Sequence, residues 1–485
     1  MSLARILNFV GGECLPPASN RYFEVFDPAV GHPWALAPDS DASDVDAAVD
    51  AATRAFPGWS RTTAQERSKL LLAIADRIEA DAYRLAMEEC IDTGKPLEVA
   101  RTVDIPRAVA NFRFFATAIL HTSSELHATD HAALNYTLRR PLGPVACISP
   151  WNLPLYLLTW KVAPALAAGN TVVAKPSEVT PMTAFRLAEI ARDAGLPPGV
   201  LNIVHGLGAK TGPALVSHSG IRAVSFTGGT ATGADIARNA SPRFKKISLE
   251  LGGKNPTLVF ADADLGRAVR GALRAAFSNQ GQICLCGSRI LVERPVYAEF
   301  LERFATSART LRVGDPLEPG TEQGAVVSKA HFEKVLGYID LARREGGSIV
   351  AGGGPAGPVN DRCRDGWFVM PTVVIDLPQE CRTNREEVFG PFVTVLPFDD
   401  EDHAIALANG TEYGLAASLW TENVSRAHRV ADRLDAGTVW VNCWMVRDLR
   451  VPFGGMKSSG VGREGGEEAL RFFTEPKNVC VQVPE

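Results

Sequence analysis

Between Phe277 and Arg289 the chain reads Phe-Ser-Asn-Gln-Gly-Gln-Ile-Cys-Leu-Cys-Gly-Ser-Arg. This polar, glycine-bearing stretch follows a segment, Leu265 to Ala276, whose alanines and leucines recur at helical spacing. A thiol set in such a loop can point into a cavity, and a thiol is the best intrinsic nucleophile among the side chains. A single cysteine is most simply a small buried apolar residue. Two upstream stretches change that reading. Leu-Glu-Leu-Gly-Gly-Lys-Asn-Pro (Leu249 to Pro256) sets the carboxylate of Glu250 inside an apolar run, and Pro-Trp-Asn-Leu-Pro (Pro150 to Pro154) offers the side-chain amide of Asn152. Nucleophile, base and oxyanion donor are the three parts that covalent chemistry at a carbonyl requires.

Outward from these stretches the chain alternates strands and helices. Val145 to Ser149, Thr171 to Lys175, Leu201 to Val204, Ala223 to Phe226 and Ile247 to Leu251 read as short strands, with helices at Leu155 to Ala168 and Pro181 to Ala194. A second alternation begins after Gly253. It has strands at Thr257 to Phe260, Ile290 to Glu293 and Val393 to Phe398, and helices at Pro295 to Leu311 and Lys329 to Glu345. The pattern predicts an α/β fold of parallel sheets with helices on both faces, and such sheets bind ligands beyond the C-terminal ends of their strands. Gly206, Gly208 and Gly212 make half of a dinucleotide fingerprint, without the Lys-Ser/Thr of a phosphate loop.

Earlier in the chain, Asn8 to Phe26 reads as strands and turns. Ser43 to Ala55, Ala64 to Glu88 and Val103 to Leu120 read as helices, with Ser43 and Thr63 as N-caps. His121 to Asp130 is polar and breaks the periodicity, and Gly346 to Gly366 reads as a surface loop or hairpin. Ala132 to Arg140 reads as a strand leaving the compact body, and Val479 to Val483 as an alternating strand that would add to the same sheet.

With 485 residues the chain is long enough for two or three domains, and its 46% hydrophobic and 22% charged content is that of an ordinary globular protein. A formal net charge of −5 leaves no electrostatic footprint for nucleic acid or an anionic membrane. No apolar run reaches transmembrane length, and Met1 to Val10 lacks the layout of a signal peptide. Nine scattered cysteines without a Cys-x-x-Cys pair suit a reducing cytoplasm, and nine histidines without a His-Glu-x-x-His pattern predict no metal site.

The stretches around Cys284, Glu250 and Asn152 resemble the signatures of the aldehyde dehydrogenase superfamily and stand in that family's order. The resemblance continues through Lys-Pro-Ser-Glu (Lys175 to Glu178), Phe-Thr-Gly (Phe226 to Gly228), Glu-Glu-Val-Phe-Gly-Pro (Glu386 to Pro391) and Pro-Phe-Gly-Gly (Pro452 to Gly455), so it spans nearly the whole chain. It implies an aldehyde dehydrogenase-like fold: a Rossmann-type NAD-binding domain at 1–119 and 141–252, an α/β catalytic domain at 253–452, and a small β oligomerisation arm from 120–140 with 468–485. The arm implies a homodimer or homotetramer, since two such strands would be unguarded edges unless another subunit paired with them.

By the same resemblance Cys284 is the nucleophile, Asn152 and the Cys284 backbone N–H hold the oxyanion, and Glu250 activates the water that hydrolyses a thioester. Cys286 is read as packing. NAD is the implied cofactor. Lys175 and Glu178 meet the adenosine ribose, where a carboxylate disfavours the 2′-phosphate of NADP. Gly228, Gly229, Thr230 and Gly233 open a helix toward the pyrophosphate. Glu387 and Phe389 position the nicotinamide ribose and ring, and Trp151 packs beside the cofactor. Gly229 stands where many relatives have serine, so Thr230 or the backbone has to substitute for that hydroxyl.

The substrate reading rests on Cys-Trp-Met-Val-Arg-Asp-Leu-Arg-Val, between Asn442 and Pro452. Arg447 and Arg450 in this loop, with Arg107, need anionic partners, and the plain alternative is salt bridging to Asp448 or Asp104. Together with the Asp-Ile-Pro-Arg helix and the Ala-Leu-Asn-Tyr arm, the loop is similar to that of the 2-hydroxymuconate and 2-aminomuconate semialdehyde dehydrogenases. The expected partner is therefore a small aldehyde with a distal carboxylate, held by Arg107 and Arg447. The competing readings are a broad-specificity or betaine-aldehyde-type dehydrogenase, a thiol acyl-transfer enzyme, and a non-catalytic binding protein of the same fold.

Overall fold

In the computed structural model, which describes residues 3–130 and 132–483, five parallel strands lie side by side. They are Lys246–Glu250, Ala223–Thr227, Pro144–Ile148, Thr171–Lys175 and Leu201–Ile203, in that spatial order. The middle three are buried at every residue, which explains their near-continuous apolar sequences: helices cover both faces. Antiparallel pieces extend both edges, Asn8–Val10 and Glu13–Leu15 on one side and Gly460–Val461 on the other, giving eight strands.

A second sheet has seven strands in the order Ser348–Ala351, Thr372–Ile375, Phe392–Phe398, Arg289–Glu293, Pro256–Val259, Ala416–Trp420 and Thr438–Val441. All its pairings are parallel except the first. The expected parallel α/β organisation is thus present twice. The cysteine-bearing stretch links the helix Leu265–Phe277 to Arg289–Glu293 at the centre of the second sheet.

Several local expectations are corrected. The first long helix runs Ala42–Trp59 and is capped by Asp41, not Ser43. The Asp41 carboxylate accepts the Ser43 N–H at 3.0 Å while Asp44 returns a bond to the Asp41 N–H, a reciprocal cap that the acid two residues earlier outcompetes serine to form. Thr63 does cap its helix, with Glu66 as its reciprocal partner. The single helix expected over Ala64 to Glu88 is two, Ala64–Ala80 and Ala82–Thr93, separated at Asp81 where φ −103 and ψ 15 leave the helical region. The helix expected from Val103 is Ile105–Ala118, entered through a π-helical turn at Ala100–Asp104, with Pro106 in its first turn.

His121 to Asp130 hides a strand, Leu126–Thr129, and Gly346 to Gly366 contains the edge strand Ser348–Ala351. Ala133–Pro141 pairs with Leu126–Thr129 on one side and with Thr474–Gln482 on the other. The two strands expected to share one sheet do so, and they pair with each other within one chain. Residues 1, 2 and 131 and the end of the expected C-terminal segment, 484–485, lie outside the described residues.

Candidate active site

Cys284 lines a cavity of about 240 Å³ together with Trp151, Asn152, Gly229, His331, Glu387 and Phe389. Its loop is built by a sharp reversal. Asn279 and Gln280 take left-handed backbone angles, φ 52 and 55, and Gly281 follows at φ 68. Only glycine fits there, because a Cβ would stand 2.0 Å from the Gly390 carbonyl oxygen. The polar side chains pin the turn: Gln280 Nε2 donates to the Ala325 carbonyl at 3.0 Å, and Gln282 Oε1 accepts the Val327 N–H at 3.1 Å. Cys286 is buried in an apolar cluster with Ile283, Leu285, Trp444 and Phe453, as its reading as packing requires. Burial, then the negative charges of Glu387 and Glu250, push the Cys284 thiol up to about 12, and Arg447 acts in the opposite direction.

Asn152 stands just before the helix Pro154–Ala167. Its Nδ2 donates to the Gln282 carbonyl at 2.9 Å, while its own carbonyl accepts from Lys95 Nζ at 2.9 Å and from Asn279 Nδ2 at 3.2 Å. Glu250 ends the strand Lys246–Glu250 and is only 3% exposed, and neither carboxylate oxygen has a hydrogen-bond partner. Burial holds its carboxyl well above the ordinary range, repulsion from Glu464 adds to this, and Lys161, Arg463 and Arg447 oppose it. Glu464 is itself ion-paired to buried Lys161 and accepts from Ser225 Oγ at 3.2 Å.

A longer groove of about 570 Å³ adjoins this cavity through their shared residues Pro150, Trp151, Thr227, Gly228 and Gly229. Lys175 and Glu178 line it at the C-terminal end of Thr171–Lys175, with Lys175 Nζ 3.4 Å from Glu178 Oε2 and Gly208 N–H donating to Glu178 Oε1 at 3.0 Å. Burial raises the Glu178 carboxyl, but the Lys175 charge and the N–H donors outweigh it and hold the group below its usual value. Gly229 caps the helix Thr230–Ala240. A Cβ at Gly228 would meet Phe226 at 2.4 Å, and one at Gly233 would meet Leu251 at 2.5 Å, so these glycines bring helix and strand close beside the groove. Thr230 does not line the groove; Thr232 does instead. The Gly253 N–H donates to Glu387 Oε1 at 2.9 Å, and Gly252 leaves room for that carboxylate, since a Cβ there would lie 2.3 Å from Oε2. Phe389, at φ 61, sets its ring edge-on to Trp151, with centroids 5.2 Å apart.

A third cavity, about 410 Å³, is lined by Val103, Leu153, Tyr156, Ile283, Trp444 and Met445 among others, and so reaches the residues flanking Asn152 and Cys284. Arg107 stacks on Tyr156 at 5.6 Å, and Arg447 on Phe453 at 4.1 Å. Among the described residues neither arginine is ion-paired. Asp104 is taken by Lys95, and Asp448 by Arg450. The salt-bridge alternative therefore holds for exposed Arg450 and fails for the other two.

Sequence reading missed five residues at these sites: Lys95, Lys161, His331, Lys334 and Glu464. Lys161 left a signal, a lone ammonium in the apolar helix Pro154–Ala167. His331 and Lys334, on Lys329–Arg344, had none; His331 Nε2 meets the Phe389 carbonyl at 2.7 Å, and Lys334 Nζ the Glu387 carbonyl at 3.2 Å. Among the described residues no group of His, Cys, Asp or Glu is placed to hold a metal ion, and no helix is long and apolar enough to cross a membrane.

Comparison with known proteins gives a consistent result. Residues 15–479 match the Aldehyde dehydrogenase family. A 2-aminomuconic semialdehyde dehydrogenase of Bos taurus is 51% identical over 483 residues, 99% of each chain. A 2-hydroxymuconic semialdehyde dehydrogenase of Pseudomonas sp. (strain CF600) is 46% identical over 488 residues, 99% of this chain and 100% of that one. An NAD+ complex of an aldehyde dehydrogenase from Bacillus cereus superposes with a TM-score of 0.96 at 40% identity, covering 99% of this chain and 97% of that one.

Proposed function

Since the chain belongs to the aldehyde dehydrogenase family, we propose that it oxidises a muconic semialdehyde, bearing an amino or a hydroxyl group at carbon 2, to the dicarboxylate with NAD as hydride acceptor. The observation that carries the reading is the convergence of Cys284 and Asn152 on the cavity that also holds Trp151, Glu387 and Phe389. The adjoining groove fits NAD: an ionised carboxylate at Glu178 for ribose hydroxyls, the N-terminus of Thr230–Ala240 for phosphate, and glycines where side chains would intrude.

Each step can be assigned to residues of this chain. At about 12 the Cys284 thiol is protonated near neutrality, so its proton passes to solvent water as the sulfur becomes a nucleophile. Sulfur then adds to the aldehyde carbon. One Asn152 amide N–H is committed to the Gln282 carbonyl, which leaves the other, with the Cys284 backbone N–H, to meet the developing oxyanion. Bound NAD supplies the hydride acceptor when the carbonyl re-forms and leaves an acyl thioester on Cys284. Glu250, unpartnered and with its carboxyl held above the ordinary range by burial, takes a proton from the water that cleaves it. Lys161 and Glu464 behind it set its charge balance.

The substrate class is supported by Arg107 and Arg447, two guanidiniums without carboxylate partners, the first stacked on Tyr156 of the third cavity, and by the relatives named above. Homodimer or homotetramer assembly is supported by apolar side chains on the three-stranded arm, Leu126, Leu134 and Val481, which are exposed in the single chain. Nine free cysteines fit a reducing, cytoplasmic setting.

The test is NADH formation followed by absorbance. Cys284→Ala abolishes it, while Glu250→Ala gives one burst of NADH and then stalls as the thioester accumulates. Steady turnover by Cys284→Ala would overturn the mechanism, and a non-catalytic or purely acyl-transferring protein would form no NADH at all.

A further inference from the structure

Lys95 is completely buried, and its ammonium is shared between the Asp104 carboxylate and the Asn152 backbone carbonyl, the latter at 2.9 Å. The chain reaches it through Gly94, held at φ 74 where a Cβ would stand 2.9 Å from the Ala325 carbonyl oxygen, so the lysine's point of entry is fixed. Asp104 is also fully buried and closes the π-helical turn Ala100–Asp104, an irregularity often found at functional sites. An isolated buried ion pair adds little to stability compared with an apolar pair of the same size. Stability therefore does not account for Lys95, whereas its bond to Asn152 does.

That bond fixes a peptide whose orientation matters. With the Asn152 carbonyl tied to Lys95 and Asn279, and its side chain tied to the Gln282 carbonyl, the remaining amide N–H has one direction left to point. We propose that Lys95, anchored by Asp104, is a positioning residue that aims the Asn152 amide at the oxyanion beside Cys284. This rests on Asn152 being the oxyanion donor. Lys95 touches no substrate; it acts through the peptide it holds, and the misplacement it prevents is of a size that costs on the order of tenfold to a hundredfold in rate.

The experiment is pre-steady-state NADH formation with hexanal, an aldehyde without a carboxylate for Arg107 or Arg447 to bind. The paired variant Lys95→Met with Asp104→Leu removes both charges and leaves neither buried alone. Its acylation rate should fall about tenfold or more, while NAD affinity by fluorescence titration and alkylation of Cys284 by iodoacetamide stay within about twofold. A merely structural role would move all three together. On an Asn152→Ala background the pair should produce no further fall, because nothing is left to aim; a second, full loss there overturns the proposal. So does an acylation rate within twofold of the parent when Asn152→Ala alone is slow. If Asn152→Ala itself acylates at the parental rate, the oxyanion reading fails instead. Should the paired variant melt below assay temperature, Asp104→Asn, which keeps the shape and removes one charge, is read by the same criteria.

Discussion

Gly454 leaves the space that the Glu250 carboxylate occupies: a Cβ at 454 would lie 2.7 Å from Glu250 Oε1, and φ is 159 there. The same Cβ would press on the Gly462 carbonyl at 2.8 Å and the Arg463 side chain at 2.9 Å, so neither the backbone nor the arginine offers an easy retreat. Gly454→Ala should therefore displace Glu250 and slow deacylation about tenfold or more, with the first NADH burst preserved. Rapid-mixing kinetics check this, and a steady-state rate within twofold of the parent would show that Glu250 is not confined by Gly454.

Glu178 is held ionised by Lys175 and by the Gly208 N–H, so it presents negative charge to the groove. Glu178→Ala removes that charge and leaves Lys175 without its carboxylate partner, which favours a 2′-phosphate over ribose hydroxyls. The ratio of kcat/KM for NADP to that for NAD should rise about tenfold or more. An unchanged ratio would take Glu178 out of the ribose site.

How far these sites could be read without coordinates depended on whether a residue's role is local. Cys284, Glu250 and Asn152 sit in short runs whose neighbours announce them: glycines that force a left-handed turn at Gly281, or leucines that desolvate a carboxylate at Glu250. Ala132 to Arg140 was legible as a strand because it alternates, and Val479 to Val483 as a strand of the same sheet, but their register was not, since it depends on pairing some 340 residues apart in sequence. Lys95, Glu464 and His331 were silent for the same reason. Each acts through long-range contacts, Lys95 to Asn152, Glu464 to Lys161 and Ser225, and His331 to Phe389, and nothing in the flanking sequence records them. The cap at Asp41 was misplaced by two residues because serine and aspartate are near-equal caps, and only the returning bond from Asp44 decides between them.

His205 is buried with neither ring nitrogen partnered, and burial, then the nearby Lys175 charge, lowers its pKa to about 3. The unfolded chain would titrate it near its ordinary value of about 6.5. Above that value the neutral ring is common to both states and the fold keeps its full stability. As pH falls toward the folded value, only the unfolded chain takes the proton, so stability declines by up to about 1.4 kcal/mol per pH unit from this group. His205→Leu removes the group, so its melting temperature should fall less steeply than the parent's between pH 6.5 and 5. Thermal melts across that range check it, and parallel curves for the two proteins would mean His205 does not contribute.

Arg107 and Arg447 come from different elements, the first from the helix Ile105–Ala118 and the second from the loop before Pro452, and each rests on an aromatic ring, Tyr156 or Phe453. Stacking holds a guanidinium in place without using its hydrogen-bonding edge, so both keep N–H donors for an incoming anion. Asp104 and Asp448, the carboxylates that would have satisfied them, are engaged by Lys95 and Arg450. A muconic semialdehyde places its aldehyde at one end and a carboxylate at the other, and a charge-assisted pair to that carboxylate contributes about 1.5–3 kcal/mol. Arg107→Ala and Arg447→Ala should each lower kcat/KM for the semialdehyde by roughly tenfold to a few hundredfold. With hexanal, Arg107→Ala should stay near the parent. Arg447→Ala should lose slightly more than Arg107→Ala there, because Arg447 also opposes the upward shift of the Cys284 thiol and of Glu250. Side-by-side kinetics on the 2-amino and 2-hydroxy semialdehydes and hexanal separate these effects. Equal losses on charged and uncharged aldehydes would mean the arginines serve packing alone, and the carboxylate-bearing substrate class would fall with them.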